Sequence, residues 1–320
     1  MKIAVLALDG VFDTGLATVQ DTFCTANELA AMSGLAVPRF EVSLTGVRRH
    51  VRTAQGLGVP VTPLDNDAKP DWIVVPAIGE KMPEGLQVAL GRADVRDAGK
   101  ALQSFAARGV HIAAACIGTF VLAESGLLDG EVATTTWWLA PMFRQRYPCV
   151  QLDDSRMVVR SGNIMTAGAA LGHMDLALAL IRQVSPELAA LTAKYLIVDT
   201  RPSQSAYALV DHLIHTDPMV ERFETWARAR LGQTFSLDDA AQSLATSKRT
   251  LARRLREVLG KTPLSYFQDL RVERAVHLLK TSNQNVEHIA ALVGYADGVT
   301  LRALLRRRLG RGVRELRLNE

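Results

Sequence analysis

Cysteine is scarce in this chain, three residues in 320. Cys24, Cys116 and Cys149 are odd in number and lack the short paired spacings of metal sites, so neither a disulfide framework nor a zinc site is expected. A reduced, cytoplasmic compartment is the expectation, with no metal and no cofactor. Also missing is any apolar run long enough to cross a bilayer, and the opening "MKIAVLALDG" reaches Asp9 and Gly10 too early for a secretory signal. No membrane partner is expected.

Net charge is small as well, +4 overall, but it is unevenly spread. From Glu221 to Glu320 there are 19 Lys/Arg against 11 Asp/Glu, whereas Met1 to Val220 carries 18 against 22. A basic C-terminal third on an acidic remainder is the footprint of a nucleic-acid-binding module joined to a domain with another task. The length suits two or three domains, and 48% hydrophobic residues allow each a core.

That basic third holds the same pattern twice, in "LDDAAQSLATSKRTLARRLRE" (Leu237 to Glu257) and "VEHIAALVGYADGVTLRALLRRR" (Val286 to Arg308). Ala241 and Ala245 in the first copy, and Ala290 and Gly294 in the second, place small side chains where two helices cross around a tight turn. Each copy reads as a helix-turn-helix, which implies two contacts with double-stranded DNA per chain. Ser236 and Ser247 are placed to cap the two helices of the first unit, and Asp297 to cap the last helix of the second. Recognition helices read base edges from their N-terminal residues, so the expected DNA contacts are Ser247, Lys248, Arg249, Thr250 and Arg253, then Thr300, Arg302 and Arg306. A helix from Leu264 to Leu279 is expected to fix the spacing between the units.

Through about residue 200, short apolar runs alternate with amphipathic stretches. "KIAVLAL", "FEVSLTG", "DWIVVPA" and "VHIAAAC" are strand-like, and Thr18 to Ser33 and Val95 to Arg108 are helical. Uninterrupted apolar strands alternating with helices predict a parallel sheet covered on both faces, an α/β doubly wound domain whose ligand site lies at the carboxyl ends of its strands. At one such end Cys116 stands where strand turns sharply into helix, and the positive end of that helix is expected to favour a thiolate.

The runs "DWIVVPA", "ACIGTFVLAESGLLDGEVATT" and "GNIMTAGAALGHMDLALALI", followed by "LATSKRTLARRLRE", "GKTPLSYFQDLRVERAVHLL" and "IAALVGYADGVTLRALLRRRLG", cover nearly the whole chain. They resemble the PfpI-type, class I glutamine-amidotransferase-like superfamily in the form fused to AraC/XylS DNA-binding domains, the GlxA-type regulators. The resemblance implies a flavodoxin-like effector and dimerisation domain over 1–200, a connection over 201–218, and an all-α double helix-turn-helix domain over 219–320. It implies a transcriptional regulator acting as a homodimer on an operator, with a small-molecule effector and RNA polymerase as further partners.

Enzymes with such an elbow pair the cysteine with a histidine and an acid. Here the histidine position of "ATTHW" in relatives holds Thr136, and the usual acid position falls on Gly15, with Asp13 two residues earlier. His111 begins a strand and His173 a helix, so both read as structural. The expectation is a pocket at Asp13, Cys116, Ile117 and Thr136 that binds an effector without catalysis. The alternatives are a hydrolase or hydratase using Cys116, or a redox or electrophile sensor at the same thiol. The second helix-turn-helix has Leu301 and Leu305 where AraC-type relatives have Phe, and "GRGVREL" where they have a Pro, so more phosphate than base contact is expected of it.

Overall fold

The computed structural model describes residues 1–64, 69–199, 201, 203–204, 217–309 and 312–317. Two compact units emerge, one of Met1–Leu139 with Tyr147–Gln204, the other of Ala140–Arg146 with Ser205–Glu320. The expected connection over 201–218 lies outside the described residues except for Arg201, Ser203, Gln204, Asp217 and Pro218.

The first unit opens with β1 (Lys2–Leu6), α1 (Asp13–Met32) and β2 (Glu41–Gly46), then three short strands, β3 (Val51–Arg52), β4 (Gly58–Val59) and β5 (Thr62–Pro63). There follow β6 (Trp72–Val75), α2 (Pro83–Leu90), α3 (Ala93–Ala107), β7 (His111–Ala115) and α4 (Gly118–Glu124). After β8 (Val132–Ala133) and a 3-10 turn at Trp137–Leu139 comes α5 (Ala140–Arg146), the segment grouped with the second unit. The first unit then closes with β9 (Gln151–Leu152), β10 (Val158–Ser161), β11 (Ile164–Ala167), α6 (Gly172–Val184) and α7 (Pro186–Tyr195).

Seven strands form one sheet in the order β10-β11-β7-β6-β1-β2-β5. Side chains alternate across it: Ile3, Val5, Trp72, Val74, Ala113 and Ala115 join the core under α1, α6 and α7, while Ala4, Leu6, Ile73, Val75, Ile112 and Ala114 are buried toward the other face. A strand buried on both faces must be apolar at every position, which is why these runs read without interruption. The wholly parallel sheet expected needs one correction: β10 runs antiparallel to β11, with Ser161 opposite Ile164. Only Gly162 and Asn163 separate them, with Gly162 at φ +53°. So short a link can join antiparallel neighbours but never parallel ones.

The second unit continues with α8 (Pro218–Arg228), α9 (Leu237–Ser243), α10 (Lys248–Leu259), α11 (Pro263–Thr281), α12 (Val286–Leu292), α13 (Gly298–Leu309) and α14 (Val313–Arg317). Its helix starts follow the capping residues. Ser236 accepts from the Asp239 N–H at 3.1 Å, Ser247 from Thr250 at 3.0 Å, Thr262 from Ser265 at 3.1 Å, Asn285 from His288 at 2.8 Å and Asp297 from Thr300 at 2.6 Å. Each such cap is worth about 1 kcal/mol.

Two cores result. Phe223, Trp226, Leu251, Leu255 and Leu259 pack with Tyr266, Phe267 and Leu270 from the first half of α11. Ile289, Ala290, Leu301, Leu304 and Leu305 pack with Val272, Ala275 and Leu279 from its second half. One helix therefore carries both helix-turn-helix units, as the apolar half of that stretch predicted.

Candidate functional site

Cys116 has the backbone of an elbow. Its φ is +56°, a left-handed value that costs a residue with a Cβ about 1–2 kcal/mol, and its N–H is tied to the Ala167 carbonyl at 2.8 Å. The thiol is not the thiolate expected at the start of α4. Burial pushes it up to about 12, outweighing the opposing help of the Ile117 N–H and the Thr136 hydroxyl. The correction is one of magnitude: Cys116 is 3% exposed, and a short helix start does not offset removal of the charged form from water.

Cys116, Ile117 and Thr136 are thus brought together, and the Thr135 hydroxyl donates to the Cys116 carbonyl at 2.8 Å. Asp13 opens α1 at the same carboxyl edge of the sheet. One of its oxygens accepts from the Gln55 N–H at 3.2 Å, and the other is buried without a partner. The hydroxyl of Thr119 is likewise buried without a hydrogen-bond partner, whereas that of Thr136 faces the Cys116 thiol.

His173 explains the missing acid. Its ring is buried, Nε2 accepts from the Ala77 N–H at 3.0 Å, and Nδ1 faces the Ala170 carbonyl at 2.6 Å. Those partners require the neutral tautomer protonated on Nδ1, and burial lowers its pKa to about 4. A Cβ on Gly15 would stand 2.6 Å from His173 Nε2. The imidazole therefore fills the space that an acidic side chain at position 15 would need. His111 is half-buried at the start of β7 with its ring 4.7 Å from that of Trp72. Neither histidine is placed as a base for Cys116.

In the second unit the exposed side chains at the starts of α10 and α13 differ. Ser247 spends its hydroxyl on the cap and on Thr250 Oγ1 at 2.8 Å, Lys248 pairs with Asp238 at 2.8 Å, and Arg253 with Glu257 at 3.0 Å. Arg249 is exposed and has no ion pair among the described residues. Arg302 lies 3.5 Å from Glu287, which also accepts from the Gly298 N–H at 2.6 Å. Thr300 and Arg306 are exposed, and Arg306 also has no ion pair among the described residues. Exposed ion pairs contribute only about 0–1 kcal/mol, so phosphate can replace the carboxylates at small cost.

The DJ-1/PfpI family profile matches residues 1–183, and a helix-turn-helix domain profile matches 240–319. The chain belongs to the DJ-1/PfpI family. It joins that domain to an AraC-type helix-turn-helix domain. The HTH-type transcriptional regulator GbdR of Pseudomonas aeruginosa is 27% identical over 302 residues, 92% of this chain and 78% of that protein. The transcriptional regulator ArgR of the same species is 28% identical over 204 residues, 62% of each chain. The activator RhaS of Escherichia fergusonii is 36% identical over 103 residues, 32% of this chain and 37% of its own length. A solved AraC family transcriptional regulator from Pseudomonas putida shares the fold with a TM-score of 0.51 at 21% identity, covering 61% of this chain and 98% of that one.

Three features of this family member escaped sequence reasoning. Gln204 is fully buried, and its Nε2 donates to Thr134 Oγ1 at 3.1 Å and to the Thr135 carbonyl at 2.8 Å. Gly168 is needed to admit it, since a Cβ there would stand 2.3 Å from Gln204 Nε2. A cavity of about 370 Å³ lies beside α6, lined by Arg156, Asp175, Arg182 and Arg201 among others and by none of Asp13, Cys116, Ile117 or Thr136. Arg271 is buried on α11, donating to the Leu231 and Gln233 carbonyls and stacking on Phe267 and Tyr295. Only Gly168, by its residue type, offered a signal.

Proposed function

We propose that this chain is a sequence-specific transcriptional regulator whose DJ-1/PfpI-type unit binds a small-molecule effector and carries out no reaction of its own. The observation that carries this reading is an elbow stripped of reactive partners yet left with unsatisfied polar atoms. Cys116 is held protonated, His173 is locked neutral elsewhere, and Asp13 and Thr119 each keep a buried oxygen without a partner. Such an atom costs about 1–3 kcal/mol while unpaired, so a ligand that supplies hydrogen bonds there is favoured. Asp13, Cys116, Ile117 and Thr136 are the proposed effector contacts. Gln204, hydrogen-bonded to Thr134 and Thr135 just after β8, is where occupancy would be felt at the start of the connection.

The proposed operator contacts are Ser247, Lys248, Arg249, Thr250 and Arg253, with Thr300, Arg302 and Arg306. Two chains pair through residues within 1–201, which doubles the sites engaged and raises affinity through effective concentration. RNA polymerase is the partner through which such binding reaches transcription, and the compartment is the cytoplasm.

The test has two arms on the full-length chain. Selection from a random-sequence duplex library is expected to enrich a defined sequence, and recovery of unenriched duplexes would overturn the regulator reading. Alkylation with iodoacetamide near neutral pH is expected at the exposed Cys24 and Cys149 but not at Cys116. Cys116 reacting first would overturn the non-catalytic reading in favour of a nucleophile or redox sensor.

A further inference from the structure

We propose that Val299, in the first turn of α13, reads the C5-methyl group of thymine in the major groove, so that the second helix-turn-helix recognises bases through apolar contact. This rests on α13 entering that groove, as the domain assignment implies. Val299 is 69% exposed, and Ala303, one turn further on the same face, is exposed too. Single exposed hydrophobic residues are ordinary on protein surfaces. Val299 differs in its place, because the first turn of a recognition helix is the part that meets base edges.

In that turn Val299 is the side chain placed for apolar contact. Gly298 has no side chain, and the Thr300 hydroxyl is engaged with Asp297. The next cation, Arg302, follows at i+3 from Val299, 3.5 Å from Glu287 on α12, where it is placed to exchange that carboxylate for a phosphate. Arg306 and Arg307 follow Val299 at i+7 and i+8, roughly 10 Å along the helix axis, where positive charge suits the flanking phosphates. Among the edges displayed in the major groove, the thymine methyl is the apolar one. A branched hydrocarbon side chain flanked by cations therefore fits a thymine-bearing step of duplex DNA. By contrast, the first turn of α10 presents Arg249, an exposed cation with no ion pair among the described residues and suited to hydrogen-bonding edges.

The test uses full-length protein and a duplex selected by it from a random-sequence library, with each thymine in turn replaced by deoxyuridine, which removes only the methyl. At about 0.8 kcal/mol per buried methyl, one or two replacements in one half of the site are expected to weaken binding about fourfold. Val299→Ala is expected to abolish that sensitivity while leaving other positions unchanged. Full tolerance of deoxyuridine by the unaltered protein, a measurement independent of any variant, would overturn the proposal. So would unchanged sensitivity in Val299→Ala. Failure to select any duplex sequence would instead overturn the DNA-binding reading beneath it.

Discussion

The two helix-turn-helix units share one plan and differ at two points, the turn and the first residues of the recognition helix. In the first unit the turn residue is Ala245, held at φ +51°; in the second it is Gly294, at φ +76°. In both turns a backbone N–H reaches back to the small residue on the first helix, Thr246 to Ala241 at 2.9 Å and Tyr295 to Ala290 at 2.8 Å. Alanine pays strain where glycine does not. The second turn nevertheless has the stricter requirement, because Arg271 lies against Gly294, and a Cβ would meet its Nη2 at 2.3 Å and the Leu231 carbonyl at 2.6 Å. The repeat in the sequence is thus a repeat of backbone geometry, while the surroundings set how much each position tolerates.

The largest expected effect follows directly. Gly294→Ala must displace a buried guanidinium that binds the Leu231 and Gln233 carbonyls, and is expected to destabilise the second core by about 3 kcal/mol. Hydrogen exchange should quicken in α12 and α13 while α9 and α10 stay protected. A thermal midpoint unchanged by the substitution would show that Arg271 does not constrain the turn.

Next in size is the division of labour on DNA. Arg249→Ala is expected to cost about 1–3 kcal/mol and to relax preference at one base position, whereas Arg306→Ala should weaken all sequences alike and lower the salt slope by about 1. Salt titrations on the selected duplex and on a scrambled one separate the two outcomes. The reverse pattern would exchange the roles assigned to the units.

A smaller effect concerns acid. Burial raises the Asp217 carboxyl, but the Val220 and Met219 N–H groups and Arg254 on α10 more than offset it and hold the pKa below the usual value. A depressed carboxylate contributes stability that is present above its unfolded pKa of about 3.9 and is lost as pH falls through the folded value. The first unit is therefore expected to loosen below about pH 4. Arg254→Met should shift that loss to higher pH, as followed by near-ultraviolet circular dichroism. An unshifted acid transition would remove this pair from the first unit's stability.

Smallest is Ala245→Gly. Relief of left-handed strain, about 1–2 kcal/mol, is offset by glycine's greater unfolded entropy of about 0.5–1, leaving a gain of up to about 1.5 kcal/mol. Thermal melts would register it, and a loss of stability would mean that the exposed Ala245 methyl is packed in a way its exposure belies.

Local features were legible in the sequence because local chemistry decides them. Ser236, Ser247 and Asp297 cap the helices they were expected to cap, and α10 runs from Lys248 to Leu259. The buried strands read from their apolar runs. Features set by distant partners were not legible. The Cys116 thiol is governed by its burial, and the emptiness of position 15 by a histidine at position 173. The Asp175 carboxylate is engaged by Arg201 at 2.5 Å, far along the chain. Arg271 reads as one more polar residue on an amphipathic helix, yet it is buried at the joint between the two cores.

Each chain is expected to place two different reading heads on DNA. Methylation-interference and hydroxyl-radical footprints of the full-length protein on its selected duplex measure this. Two major-groove contacts on one face, roughly 34 Å apart, are predicted for each chain, one erased by Arg249→Ala and the other weakened by Val299→Ala. A single contact per chain, or one footprint altered identically by both substitutions, would contradict it.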